Sequence, residues 1–243
     1  MSVEFRVLPT PAALAEAAAD RIVAVARNAI RRRGRFVVAL SGGSTPRLVY
    51  PLLASSPLVD AVDWSRVSFF WGDERAVPPE HAESNYGVAR AMLLDRLPGL
   101  RSDAVHRMPA DAPDRAAAAA GYERTIHRVL TPNPPRLDLI WLGMGPDGHT
   151  ASLFPGASTL AERQRLVVVA TAPAGMAVHD RMTFTLPLIN AARAVLFVVA
   201  GADKATAVRS VRSGSRNLPA GRVRARSTLW LLDAAAAGRA ASK

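Results

Sequence analysis

The chain has 243 residues and no cysteine. That removes disulfides, thiolate zinc sites and cysteine nucleophiles from consideration. Lysine is nearly absent too: Lys204 and Lys243 are the only two among 31 basic residues, the rest being arginine. No apolar run approaches the ~18–20 residues of a membrane-spanning helix. The N-terminal stretch MSVEFRVLPTPAALAEAAAD carries Glu4 and Glu16 and has no signal-peptide core, so a cytoplasmic location is expected. There is no HExxH pair and the histidines are scattered, so no metal site is expected. No serine sits in a G-x-S-x-G elbow, which argues against covalent serine hydrolysis. No linker, repeat or composition break divides the chain, and residues 1–243 are expected to form a single domain.

What is present is an ordinary globular composition, 49% hydrophobic and 21% charged, with a formal net charge of +11. Such a charge suits a nucleic acid, a small anionic substrate, or an arginine-rich surface with no partner. Its densest stretch, RSVRSGSRNLPAGRVRAR at 209–226, has no interleaved aromatics and reads as a solvated surface; no nucleic-acid partner is expected. Lys204 stands out in a chain that otherwise uses arginine. Either its compact ammonium matters there or it is a chance retention.

Short apolar runs at 5–8, 36–40, 67–71, 137–142, 166–170, 194–200 and 228–232 read as strands. Being continuously apolar rather than alternating, they suit parallel strands covered on both faces. Helical patterns fall between them at 10–33, 46–54, 85–95, 112–130 and 202–212. This alternation predicts a Rossmann-like α/β/α sandwich around a mainly parallel sheet. In such folds ligands bind beyond the carboxyl ends of the strands, so post-strand loops carry the candidate chemistry.

In ALSGGSTPRLVY (39–50), Gly42 and Gly43 allow a tight turn with exposed N–H groups. Ser44 and Thr45 add hydroxyls at the start of a helix expected to begin at Pro46. A phosphate cradle and an ordinary capped turn both fit. In WGDERAVP, Asp73, Glu74 and Arg75 directly follow a strand; Arg75 is placed to meet a substrate anion or to hold Asp73, and Ser84 in ESNYG to cap a helix. In LGMGPDGHTASLFPG (142–156), Asp147, Gly148 and His149 follow another strand. An imidazole beside a carboxylate suits general-base work near neutral pH. A purely structural histidine fits these residues equally. Arg181 opens RMTFTLPLIN, and Lys204 is expected one turn into a helix after Gly201. With residues 42–45 these two cations would supply a site for a dianion.

Taken jointly, LSGGSTP, WGDERAVP with SNYG, DLIWLGMGPDGHTASLFPG, RMTFTLPLIN and GADKA resemble, in the same order, the 6-phosphogluconolactonase family, which serves the second step of the oxidative pentose phosphate pathway. Glucosamine-6-phosphate isomerases and deaminases of the same superfamily share the phosphate loop and Asp-Gly-His. The deaminase pattern resembles DGHIAFNEP, with a Glu where this chain has Phe154. Two departures stand out. The family often has a proline shortly before the arginine that Arg181 matches, where this chain reads MAVHDRMTF. Gly221 in LPAGRV takes a position that resembles a serine of the family.

The resemblance implies a phosphorylated sugar lactone as substrate and no cofactor or metal. It places the phosphate against Gly42, Gly43, Ser44, Thr45, Arg181 and Lys204. It makes His149 the base that activates water, with Asp147 assisting, and puts Asp73 and Arg75 among the catalytic groups, Arg75 as oxyanion donor. A non-catalytic sugar-phosphate sensor on this fold is the reading from another class; such sensors add a DNA-binding helical domain, for which the chain is expected to lack the length.

Overall fold

Continuous burial marks the strands that the apolar runs announced. In the computed structural model, which describes residues 1–131 and 134–239, Phe36–Leu40, Leu139–Leu142 and Val195–Val199 are buried at every position. In chain order the elements are β1 (Ser2–Leu8), α1 (Pro11–Arg33), β2 (Phe36–Leu40), α2 (Ser44–Leu53), β3 (Val67–Trp71), β4 (Asp73–Arg75), α3 (Asn85–Met92) and α4 (Arg115–Val129). They continue with β5 (Leu139–Leu142), β6 (Val167–Thr171), β7 (Asp180–Phe184), α5 (Leu186–Ala191), β8 (Val195–Val199), α6 (Ala205–Arg212) and β9 (Ser227–Asp233).

Six strands form one sheet in the order β1-β9-β8-β5-β2-β3, and every pairing in it is parallel. This is the mainly parallel α/β architecture expected. From β2 the chain moves outward to β3, then returns to place β5 on the other side of β2. The strand order therefore reverses between β2 and β5, and loops leaving those two strands diverge to open a crevice.

α1 shows how the sequence sets an element. Thr10 accepts from the Ala13 N–H, Pro11 fixes the first helical position, and Gly34 at φ 73° ends the helix by donating its N–H to Ile30 O. Leu14, Ala18, Ile22, Ala26 and Ala29 recur at three-to-four-residue spacing and are buried, and the small alanines let the helix lie close to β1, β2, β9 and α2.

Three expectations need correction. The run at 166–170 is not in the parallel sheet: β6 pairs antiparallel with β7, which pairs antiparallel with β4 in a separate three-stranded sheet. Val167, Met182 and Phe184 bury their side chains into the same core, so an apolar run alone did not tell which sheet it joins. The second helix begins at Ser44 rather than Pro46. A first-turn proline costs nothing there, since that N–H has no intrahelical partner. Lys204 closes a 3₁₀ turn, Ala202–Lys204, just before α6 instead of sitting inside a helix.

Candidate active site

The post-strand loops converge on one cavity of about 220 Å³ at the carboxyl ends of β2, β5 and β8. Gly42, Gly43, Ser44 and Thr45 line part of it, and His149, Asp73, Arg75, Arg181 and Lys204 are also in its wall. Asp147 stands behind the imidazole rather than in the wall.

The loop after β2 is shaped by close approach. A Cβ on Gly42 would lie 1.7 Å from Asn85 Oδ1, and Gly43 has φ 98°; neither position admits a side chain cheaply. Tyr50, one and a half turns into α2, donates its hydroxyl to Ser41 O at 2.6 Å and so ties the loop to the helix it feeds. Burial pushes the Tyr50 phenol well above its ordinary range, with the Glu74 charge adding to the effect, so it stays a donor. No side chain caps the N-terminus of α2. Its first N–H groups are free of intrahelical partners and carry the positive end of the helix dipole, a ready anion seat.

β4 supplies three charged residues in a row, and strand alternation sends them to different places. Glu74 points into the protein, 3% exposed, and accepts from the backbone N–H groups of Arg75, Asn85 and Tyr86, each at 2.8 Å, and from Ser84 Oγ at 3.2 Å. It thereby caps α3 from another element, alongside Ser84, which accepts from Gly87 N. Burial raises the Glu74 carboxyl above its ordinary value, the backbone donors pull against it, and neighbouring Asp73 adds to the rise.

Asp73 and Arg75 face the cavity. Asp73 Oδ2 accepts from Ser152 Oγ at 2.6 Å, and Asn85 Nδ2 donates to Asp73 O at 2.9 Å. Arg75 does not hold Asp73. Its Nη1 binds Glu83, at 2.8 Å to the carbonyl and 3.0 Å to Oε2. The β4–β7 register sets Arg75 opposite Arg181. Arg181 is buried, its Nε donates to Val178 O at 2.9 Å, and burial followed by the Arg75 charge lowers its pKa from the usual value. Two guanidiniums side by side at a cavity wall are an arrangement that an anion relieves. Lys204 reaches the same cavity and pairs with Asp203.

The Asp-Gly-His turn closes on itself. Gly145 N donates to His149 O and Gly148 N to Gly145 O, both at 2.9 Å, and Gly148 adopts φ 79° with Leu218 packed against it. The imidazole Nδ1 then lies 2.6 Å from Asp147 Oδ1, which also accepts the His149 N–H at 3.2 Å. A carboxylate there fixes the proton on Nδ1, leaving the Nε2 lone pair free as a base. Phe154 backs the ring with centroids 4.9 Å apart.

The structure thus brings every sequence-predicted residue together around one cavity, with Asp147 one bond behind it. Asn85, Ser152 and Tyr50 were given no role in advance. Asn85 and Ser152 fix Asp73 from 12 and 79 residues away, a separation that spacing rules do not reach; the only signal was their presence in SNYG and HTAS. Trp141 lines the cavity with a buried Nε1 that has no partner among the described residues. Among those residues no cluster of three metal-ligating side chains occurs, and no helix is long and apolar enough to cross a membrane.

Comparison with known proteins gives the family and the fold. Residues 9–230 match the family model described as glucosamine-6-phosphate isomerases/6-phosphogluconolactonase. The chain is 40% identical to a 6-phosphogluconolactonase of Nostoc, over 97% of this chain and 98% of that one. It is 42% identical to the 6-phosphogluconolactonase of Streptomyces coelicolor, over 93% and 90%. Among solved structures it resembles the 6-phosphogluconolactonase of Trypanosoma brucei, with TM-score 0.83 at 27% identity over 98% of both chains. A monomeric glucosamine-6-phosphate deaminase shares the fold at TM-score 0.83 and 20% identity, covering 98% of this chain and 99% of that one.

Proposed function

Because the chain belongs to the glucosamine-6-phosphate isomerase/6-phosphogluconolactonase family, we propose that it is a 6-phosphogluconolactonase, a hydrolase that opens 6-phospho-D-glucono-1,5-lactone to 6-phospho-D-gluconate in the oxidative pentose phosphate pathway. The observation that carries the reading is His149, held 2.6 Å from Asp147 behind it, in the wall of a cavity that also holds an uncapped helix N-terminus and the cations Arg75, Arg181 and Lys204. The base and the anion seat share one small space, as a phosphorylated ester requires.

The phosphate sits on the N–H groups and hydroxyls of residues 42–45, with Arg181 and Lys204 neutralising it. His149 Nε2 takes a proton from water while the water oxygen attacks the lactone carbonyl carbon. The charge that develops on the carbonyl oxygen is met by Arg75. The bond from that carbon to the ring oxygen then breaks, and the imidazolium returns its proton to the departing oxygen, which becomes a hydroxyl. The new carboxylic acid ionises in water, so lactone and water give carboxylate and one proton. Asp147 stabilises the imidazolium while it is charged. Asp73, held by Ser152 and Asn85, presents its carboxylate to the sugar and joins the catalytic groups as an acceptor for a substrate hydroxyl. General-base assistance of ~10²–10⁴ together with positioning is a sufficient demand for an ester already this reactive.

Phe154 supports hydrolysis over isomerisation. Buried and against the imidazole, it offers no proton to a ring-opening step where the deaminase pattern has a carboxylate. The test is an assay with freshly prepared 6-phosphogluconolactone, corrected for its spontaneous hydrolysis, run beside ammonia release from glucosamine 6-phosphate. Lactone turnover without ammonia is expected; ammonia without lactone turnover would reverse the assignment.

A further inference from the structure

The opposite pole of the sheet, where β2, β5 and β8 begin, carries a second charged hollow. Its volume is about 640 Å³, and every charged residue lining it is an arginine: Arg33, Arg35, Arg136 and Arg193. Each stands just before a strand of the central sheet or at the end of α1, so the parallel topology itself gathers them. Three are held in place from below. Arg33 Nη2 and Arg193 Nε reach Asp138 Oδ1 at 2.9 and 3.3 Å. Arg35 donates from both Nη atoms to Val129 O and Thr131 O, each at 2.9 Å, at the carboxyl end of α4. Arg136 has no carboxylate partner among the described residues.

Asp138 does not balance this charge. It is 5% exposed, and its other oxygen accepts the Val37 N–H at 2.9 Å. Four guanidiniums over one committed carboxylate leave a net charge of +3 around a concavity. Like charges gathered this closely are unfavourable unless an anion joins them. Because Arg33, Arg35 and Arg193 are already anchored, little side-chain freedom remains to be lost on binding, and guanidinium groups lining a hollow are donors that match phosphate oxygens. The uncharged lining is Leu130, Thr131 and Pro134, with no aromatic ring on which a nucleobase of a single strand would stack. A compact, highly charged ligand fits better than a nucleic-acid strand.

We propose that this hollow is a second anion site, separate from the candidate active site, which takes a linear polyphosphate group of three or more negative charges. A five-residue strand such as β2 spans about 16 Å, so a ligand here is out of reach of His149 and is bound, not turned over.

The probe is inorganic tripolyphosphate, titrated calorimetrically at fixed ionic strength into the wild-type chain, Arg136→Glu and Lys204→Ala. Arg136 makes no anchoring bond to a described carboxylate, so its replacement leaves the fold and lactone turnover unchanged. Saturable binding is expected with a component that is weakened by roughly tenfold or more in Arg136→Glu and retained in Lys204→Ala, apart from whatever the active-site cavity takes up. Loss in Lys204→Ala with retention in Arg136→Glu would put the ligand at the active-site cavity and overturn the proposal. So would the absence of saturable binding, or equal binding of sulfate. A single-stranded oligonucleotide that binds more tightly than tripolyphosphate, with the same dependence on Arg136, would overturn the ligand class. Should Arg136→Glu lose its fold by circular dichroism, Arg136→Gln gives the same reading with the anion site weakened and no new negative charge.

Discussion

An alanine at Gly145 would put its Cβ 2.2 Å from both Cε1 and Nδ1 of His149 and 2.8 Å from Asp147 Oδ1. Those atoms must move, and they are the ones whose 2.6 Å separation sets the proposed base. Gly145→Ala is therefore expected to lower kcat about a hundredfold while leaving thermal stability within a degree or two, because a displacement of ~1 Å at the reacting groups costs that much. An unchanged kcat would mean that the imidazole geometry is not what the reaction uses. His149→Ala should lose ~10²–10⁴ in kcat with KM for the phosphorylated lactone retained, since the proposed phosphate contacts lie elsewhere in the cavity. Arg181→Ala should do the reverse, raising KM for the phosphorylated lactone and leaving an unphosphorylated lactone unaffected. Steady-state kinetics on the two lactones separates these outcomes.

At the scale of elements, the join between β4 and α3 is the telling one. Glu74 collects three backbone N–H groups and one hydroxyl there, and its carboxyl pKa is raised in the folded protein, chiefly by burial. A raised acid pKa means that the folded state binds the proton more tightly than the unfolded state does. Stability from this group is therefore complete below the ordinary glutamate pKa and declines as pH climbs from there through the raised value. Glu74→Gln removes the titration: the variant's Tm should lie lower throughout, since the amide turns a donor toward donors, but its decline across that pH window should be shallower than wild type. Melting curves at several pH values give the slope, and parallel slopes would remove Glu74 as its source. Asn85 at the start of α3 carries this join into the site, as it packs its Oδ1 against Gly42 and supports Asp73. The small sheet behind the join was the least legible part of the sequence. β4 is three charged residues and β7 alternates polar with apolar, so neither shows a continuous apolar run. The parallel strands were legible because burial on both faces leaves an unbroken apolar signature.

Over the whole molecule, the parallel topology sorts function by pole. Residues 42–45, Asp147, His149 and Lys204 follow strands of the parallel sheet, as the rule that ligands meet the carboxyl ends of such a sheet expects, whereas Asp73, Arg75 and Arg181 lie within the small antiparallel sheet beside it. The long-range pairs were illegible, because Ser152 to Asp73 in the candidate site and Arg33 to Asp138 at the opposite pole are closures of 79 and 105 residues that only the fold creates. The same topology gathers cations at two ends of one sheet, Arg75, Arg181 and Lys204 at one and Arg33, Arg35, Arg136 and Arg193 at the other. At the active-site end, Arg75, Arg181 and Lys204 face a cavity with a low-dielectric floor, which focuses their field on an incoming phosphate dianion. Salt screens that field over a length of about 10 Å at 0.1 M. The second-order constant kcat/KM should therefore fall several-fold between about 0.05 and 0.5 M sodium chloride, while kcat, which starts from the bound lactone, stays nearly flat. Lys204→Ala should flatten the salt dependence and Arg136→Glu, at the far pole, should leave it unchanged. Equal sensitivity in both variants would mean that the overall charge, and not its placement at the cavity, draws the substrate in.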